Sequence, residues 1–247
     1  MIMIKPIYFL GDIHGEFEIL KQNIKNFDIK DCYIIQVGDY GIGFDSLEND
    51  KQTLGHLNKF LRIRNIDMYV VRGNHDDPKF FNGDYNLSNL KLLKDYTQLN
   101  INDINFLFIG GAISIDRRDR KRIDNNRINS IKKCYWENEI FVIDEEKLKS
   151  FSNIDVLVCH NAPDFAVPNN NQGFPSIVMN YAKNDESLIQ ELILERKLIT
   201  KAFDILSEKN NIKHYIYGHF HRSYNMKIVD TNFRVLDCHE FWELRSL

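Results

Sequence analysis

Nine side chains able to bind cations or move protons are gathered in five short segments. They are Asp12 and His14 in GDIHG, Asp39 in GDYG, Asn74, His75 and Asp76 in GNHD, His160 in CHNAP, and His219 and His221 in GHFH. Five of the eight histidines lie in these segments, each beside other polar donors, so one shared site is a better reading than five unrelated turns. Carboxylate, imidazole and amide donors together suit borderline divalent ions such as Mn²⁺, Fe²⁺ or Zn²⁺. In extended chain, residues i and i+2 face one side with Cα atoms about 6.5 to 7 Å apart. The Asp12/His14 and His219/His221 pairs could then reach two ions about 3.5 to 4 Å apart, the spacing of two-metal hydrolysis. Two divalent ions bring four positive charges, which only Asp12 and Asp39 among these donors offset. Such a site attracts an anionic group, and phosphate is the natural one.

The elements that must hold these residues are legible as apolar, β-branched runs that stop at a glycine or polar cluster. IYFL precedes Gly11, CYIIQV precedes Gly38, MYVV precedes Arg72 and Gly73, DVLV precedes Cys159 and His160, and HYIY precedes Gly218. Each reads as a buried strand ending in a loop. Helix-like stretches over Glu16 to Asn26, Ser46 to Arg62 and Glu186 to Lys209 alternate with them, as in βαβ units. From Leu92 to Ile109 and from Ser223 to Leu236, strand-like runs follow one another with short turns, so antiparallel pairs are expected. In α/β sheets ligands bind beyond the carboxyl ends of the strands, which brings the five segments to one place. The stretches Ser114 to Asn138 and Asn161 to Asp185 are polar, long for loops and without a clear element.

In this order, GDIHG, GDYG, GNHD, the His160 segment and GHFH resemble the calcineurin-like metallophosphoesterase superfamily, over about Ile7 to His221. The resemblance implies an α/β fold, a four-layer α/β/β/α sandwich of two mixed sheets flanked by helices, here as a single domain over residues 1–247. It implies two divalent ions, Mn²⁺ foremost with Fe, Zn or Ni as further fits. Asp12, His14, Asp39 and His221 would bind one ion, Asp39, Asn74, His160 and His219 the other, with Asp39 bridging. A metal-bound hydroxide would attack phosphorus in line, and His75 would assist the leaving group with Asp76 as its orienting partner. The segment GDYGIGF lacks the arginine of the GDxxDRG motif found in the protein Ser/Thr phosphatase branch. GGAISIDRRDR, followed by YWENE, instead resembles a loop of bacterial and phage members. Its Arg117, Arg118 and Arg120 are candidate contacts to substrate phosphate.

Composition bounds the rest. A net charge of −3 argues against a protein whose main task is to coat nucleic acid, although the basic stretch 117–133 leaves a nuclease as an alternative. A non-catalytic scaffold for protein partners is a second alternative, opposed by the complete ligand set. The substrate is expected to be a phosphorylated small molecule, nucleotide or phosphoprotein. No run of 18 apolar residues and no cleavage-like leader is seen, so no membrane role and a cytoplasmic location are expected. The four cysteines are far apart and form no CxxC pair, which reads as reduced, mostly buried thiols. His56, His214 and His239 read as ordinary surface or loop residues, and Trp136 and Trp242 as packing residues.

Overall fold

The apolar runs that end in polar clusters form parallel strands in the computed structural model, which describes residues 5–127, 132–168 and 173–245. β1 (Ile7–Leu10), β2 (Cys32–Gln36) and β3 (Ile66–Val70) pair side by side in parallel, with Tyr8 opposite Ile34 and Ile34 opposite Met68. The crossovers are α1 (Phe17–Asn26) and α2 (Leu47–Ile63), the latter capped by Ser46, whose side chain accepts from Asn49 N. β4 (Leu90–Leu92) extends this sheet in parallel beyond β3. β11 (Phe241–Glu243) closes its other edge, antiparallel to β1.

The second sheet starts with the antiparallel hairpin β5 (Thr97–Ile101) and β6 (Ile104–Ile109). β7 (Val156–Cys159), β8 (His214–Tyr217) and β10 (Thr231–Val235) follow in parallel, and β9 (Tyr224–Ile228) is antiparallel to β10 at the edge. Side chains alternate across each strand, and both faces of the central strands are apolar. Ile35, Phe106, Phe108, Val156, Val158 and Ile216 meet between the sheets. Ile34 and Met68 turn outward to Leu20, Leu54 and Leu57 of α1 and α2. Leu157, Tyr215 and Tyr217 turn outward to Ile199, Ala202 and Leu206 of α6 (Leu188–Ser207). Four layers result, in the order helix, sheet, sheet, helix.

Three features differ from the sequence expectation. The stretch 114–138 carries α3 (Arg117–Asn126), and 161–185, beyond the short α4 (Glu145–Ser150), carries α5 (Ser176–Ala182), so neither is simply a loop. β11 was not anticipated, because three residues leave no readable alternation. His214 is buried in β8, with its ring 5.9 Å from that of Trp242, rather than lying at the surface. Trp242 and Trp136 do pack as expected, and His56 is exposed on α2. Among the described residues no helix is long and apolar enough to cross a membrane.

Candidate metal centre

The five segments leave the carboxyl ends of β1, β2, β3, β7 and β8 and fold onto one another through backbone bonds. Ile13 N and His14 N both donate to the Asp39 carbonyl, at 3.1 and 2.9 Å, and Gly15 N donates to the Tyr40 carbonyl. His219 N donates to the Asp12 carboxylate at 3.0 Å, and Gly218 N to the His160 carbonyl at 3.1 Å. The expectation of extended i, i+2 pairs does not hold. His14, Asp39, His219 and His221 have φ of 45°, 53°, 69° and 47°, in the left-handed region. Side chains converge because the chain turns sharply at these four donors, a conformation that Asp and His adopt more readily than most non-glycine residues.

The donor atoms form two clusters with one shared member. One ligand atom each from Asp12, His14, Asp39 and His221 lie within 4.8 Å of one another, as do those of Asp39, His160 and His219. Asn74 joins the second cluster, its Oδ1 being 2.9 Å from His219 Nδ1 and 3.1 Å from His160 Nε2. His14 Nε2 and His221 Nε2 approach to 3.0 Å, and His221 Nε2 lies 3.4 Å from Asp12 Oδ2. His160 tests whether a cation fits here. Its Nδ1 is 2.9 Å from the Val37 carbonyl, which can only accept, so Nδ1 carries the proton. The Nε2 lone pair then faces Asn74 Oδ1 and Asp39 Oδ1, the latter at 3.2 Å. Three acceptors aimed at one point repel unless a proton or a metal cation sits between them, and a carboxylate, an amide oxygen and an imidazole nitrogen are donors that fit a bound divalent ion.

The same demand for positive charge shows in the proton affinities, a proton and a metal ion being alternative occupants of this point. Burial tends to depress proton affinity at His160, but the Asp39 carboxylate outweighs it and raises the imidazole to about 9. Asp39 is itself buried, which raises it, yet His160 holds its carboxyl well below the usual range. Burial, reinforced by His160, holds His219 well below the usual histidine value. The glycines keep the donors close. A Cβ at Gly38, where φ is 106°, would come within 2.2 Å of His160 Nδ1, and one at Gly218 within 2.1 Å of Asp12 Oδ1.

His75 stands at the mouth of the clusters, with its backbone N donating to Asp39 Oδ1 at 2.7 Å. Its ring stacks on Phe44, which packs edge-on against the buried Trp136. Asp76 is not its orienting partner. That carboxylate is fully buried and accepts from Gly73 N, Tyr40 N, Gly41 N and Ile42 N, so it ties the GNHD and GDYG turns together. Burial lowers the proton affinity of His75, against the opposing pull of Asp39. Asp39, Asn74, His75, His219 and His221 line one end of a cavity of about 340 Å³.

A family model for calcineurin-like phosphoesterases matches residues 5–223. The chain belongs to that family. This phosphoesterase has no match among curated proteins. Among solved structures it resembles a dimetal phosphatase from Danio rerio at 11% identity and a TM-score of 0.52, over 95% of this chain and 88% of the other. A phosphopantetheinyl hydrolase from Mycobacterium tuberculosis is 12% identical with a TM-score of 0.50, over 95% and 90%. Identities this low show a common fold. The family consists of metal-dependent phosphoric ester hydrolases, and this phosphoesterase is one by membership.

The arginines singled out for substrate phosphate are placed elsewhere. Arg117 is held by Asp185 at 2.6 Å, by Glu191 and by Ser187, so its charge is already neutralised. Arg120 is buried, bonded to Ser114 Oγ, the Asn74 carbonyl and the Cys134 carbonyl, with Glu139 at 3.5 Å. Arg118 is exposed and lines a separate surface depression. None of the three lines the cavity over the clusters. Acidic residues distant in sequence claim two of them, which no local pattern reveals.

Four residues escape the sequence reading. Ser114 accepts from Asn74 Nδ2 at 2.9 Å, which turns the amide so that Oδ1 faces the imidazoles. Cys238, by its spacing an ordinary reduced thiol, lies with Sγ in a cluster with His14 and His221. His239 is likewise more than a loop residue, since its backbone N donates to the Asp12 carbonyl and its ring meets Glu16 at 2.6 Å. Arg196 lines the cavity from α6. Its signal is a charge that, with Glu195, interrupts the face carrying the buried Leu192 and Ile199.

Proposed function

We propose that this phosphoesterase cleaves phosphate mono- or diesters at a centre of two divalent ions. Asp12, His14, Asp39 and His221 would hold one ion, and Asp39, Asn74, His160 and His219 the other. The mixed carboxylate, imidazole and amide donors favour Mn²⁺, with Fe, Zn or Ni as further fits. When bound, the ions would neutralise phosphate charge and activate water near neutral pH. The observation that carries this reading is the sharing of Asp39 by two donor clusters at the end of one cavity.

The protein's own residues then do distinct work. Asn74, held by Ser114, presents a neutral oxygen, so the centre keeps the positive charge that a phosphate needs. His75, braced by Phe44, would hydrogen-bond the departing oxygen, a role for which a neutral imidazole retains one N–H. Neutralisation of Arg117 and burial of Arg120 remove much of the basic face on which a nuclease reading rested. The four unpaired cysteines support a reducing, cytoplasmic setting as part of the proposal.

The test uses metal-stripped protein reloaded with Mn²⁺ and assayed on aryl phosphate mono- and diesters, with His75→Ala as control. Turnover is expected in the reloaded wild type. His75→Ala should keep both ions and lose about 10² to 10³ in rate, the scale of a removed transition-state hydrogen-bond donor. No turnover of any ester by the fully loaded protein overturns the proposal, and loss of metal in His75→Ala overturns the role given to His75.

A further inference from the structure

The cavity beyond the donor clusters has a wall that phosphate chemistry alone does not use. Ile177, Val178 and Tyr181 of α5 and Leu192 of α6 line it, with Phe220 from the turn after β8. Ile177 is 56% exposed, an apolar residue left at the edge of the cavity rather than in the core. Arg196 lines the same space, its guanidinium 4.6 Å from the ring centroid of Phe174 and 6.0 Å from that of Phe220. Among the described residues no hydrogen bond or ion pair to that guanidinium is formed. Arg196 is half-buried, and Glu195 and Asp164 act on it as nearby charges, so of its five N–H donors several remain to receive an anionic oxygen. Lined mainly by apolar groups with a few convergent polar ones, and of about 340 Å³, the cavity is on the scale of small-molecule sites.

We propose that the substrate is a small phosphate ester with an aromatic or apolar organic part, which rests on the Ile177/Tyr181 wall while Arg196 holds an anionic oxygen. This rests on the phosphoesterase reading above and narrows it. A polar ester such as a sugar or glycerol phosphate leaves the wall without a partner. The missing arginine of GDYG is thereby replaced from α6, from a part of the chain with no place in the five motifs.

The test compares benzyl and glycerol esters, both of primary alcohols, in the mono- or methyl-diester form that the Mn²⁺-loaded enzyme turns over. The benzyl ester should be preferred in kcat/KM by about tenfold or more, the discrimination of a small apolar pocket. Ile177→Asp, at an exposed position, should lower kcat/KM for the benzyl ester about tenfold more than for the glycerol ester, through KM. Arg196→Gln should weaken inhibition by inorganic phosphate about tenfold or more at unchanged metal content, with Arg196→Lys recovering part of it. Equal use of the two esters, an unchanged ratio in Ile177→Asp, or unchanged phosphate inhibition in Arg196→Gln overturns this inference while hydrolysis leaves the phosphoesterase reading intact. Failure to hydrolyse either ester or the aryl panel with both ions bound overturns both.

Discussion

At the residue scale, chemistry was legible where side-chain type limits what a group can do. Imidazoles and carboxylates beyond strand ends have few roles besides ligation and proton transfer, so the candidate donors could be gathered from the sequence, while their division between two ions came from the family resemblance. Asp76 and Arg120 could not be read this way. A carboxylate that serves four backbone amides is indistinguishable in sequence from one that orients a histidine, and a buried arginine from one that greets substrate. Arg120 supplies a prediction that separates the two roles. Its guanidinium stands by buried Glu139 and braces Ser114 and Asn74. Arg120→Met leaves an uncompensated buried charge and should cost about 3–5 kcal/mol in urea unfolding. A stable variant with only a raised KM would restore Arg120 as a substrate contact.

Elements were legible where alternation is long enough to read. The parallel strands, the hairpin of β5 and β6 and the helices α1, α2 and α6 all follow from apolar periodicity. β11 has too few residues to show it, and α3 is so polar that its helical face carries no apolar stripe. α6 has a second task that periodicity hides. Glu195 on its buried face accepts from Ile113 N, Phe141 N and Asn161 Nδ2, which joins the chain segments leaving β6 and β7. Burial raises its carboxyl from 4.5 to about 7, with those three donors pulling the other way. Between these values the folded chain keeps a proton that the unfolded chain has lost. Stability should therefore fall as pH rises from 4.5 through 7, by at most about 1.4 kcal/mol per pH unit from this group. Urea midpoints of wild type and Glu195→Gln should diverge across that window in this sense. A constant difference between them would show that Glu195 is ionised throughout.

For the whole molecule, two sheets packed face to face bring the carboxyl ends of strands from both to one end, and that convergence makes a single centre out of five scattered segments. It was readable as topology, because parallel strands share an end. The floor and walls of the cavity were not, since α5 and Arg196 reach it through packing between elements far apart in sequence. Everything in the account depends on one residue serving both clusters. Asp39 lies within reach of His14 and His160, and its backbone carbonyl also holds the GDIHG turn. The most direct measurement is the number of Mn²⁺ ions bound per chain, by elemental analysis after reloading, in wild type and Asp39→Asn. Two ions in the wild type, and weakened binding of both in a folded Asp39→Asn protein, are the predicted result. One ion or none in the wild type, or two ions retained in Asp39→Asn, would contradict a shared two-metal centre.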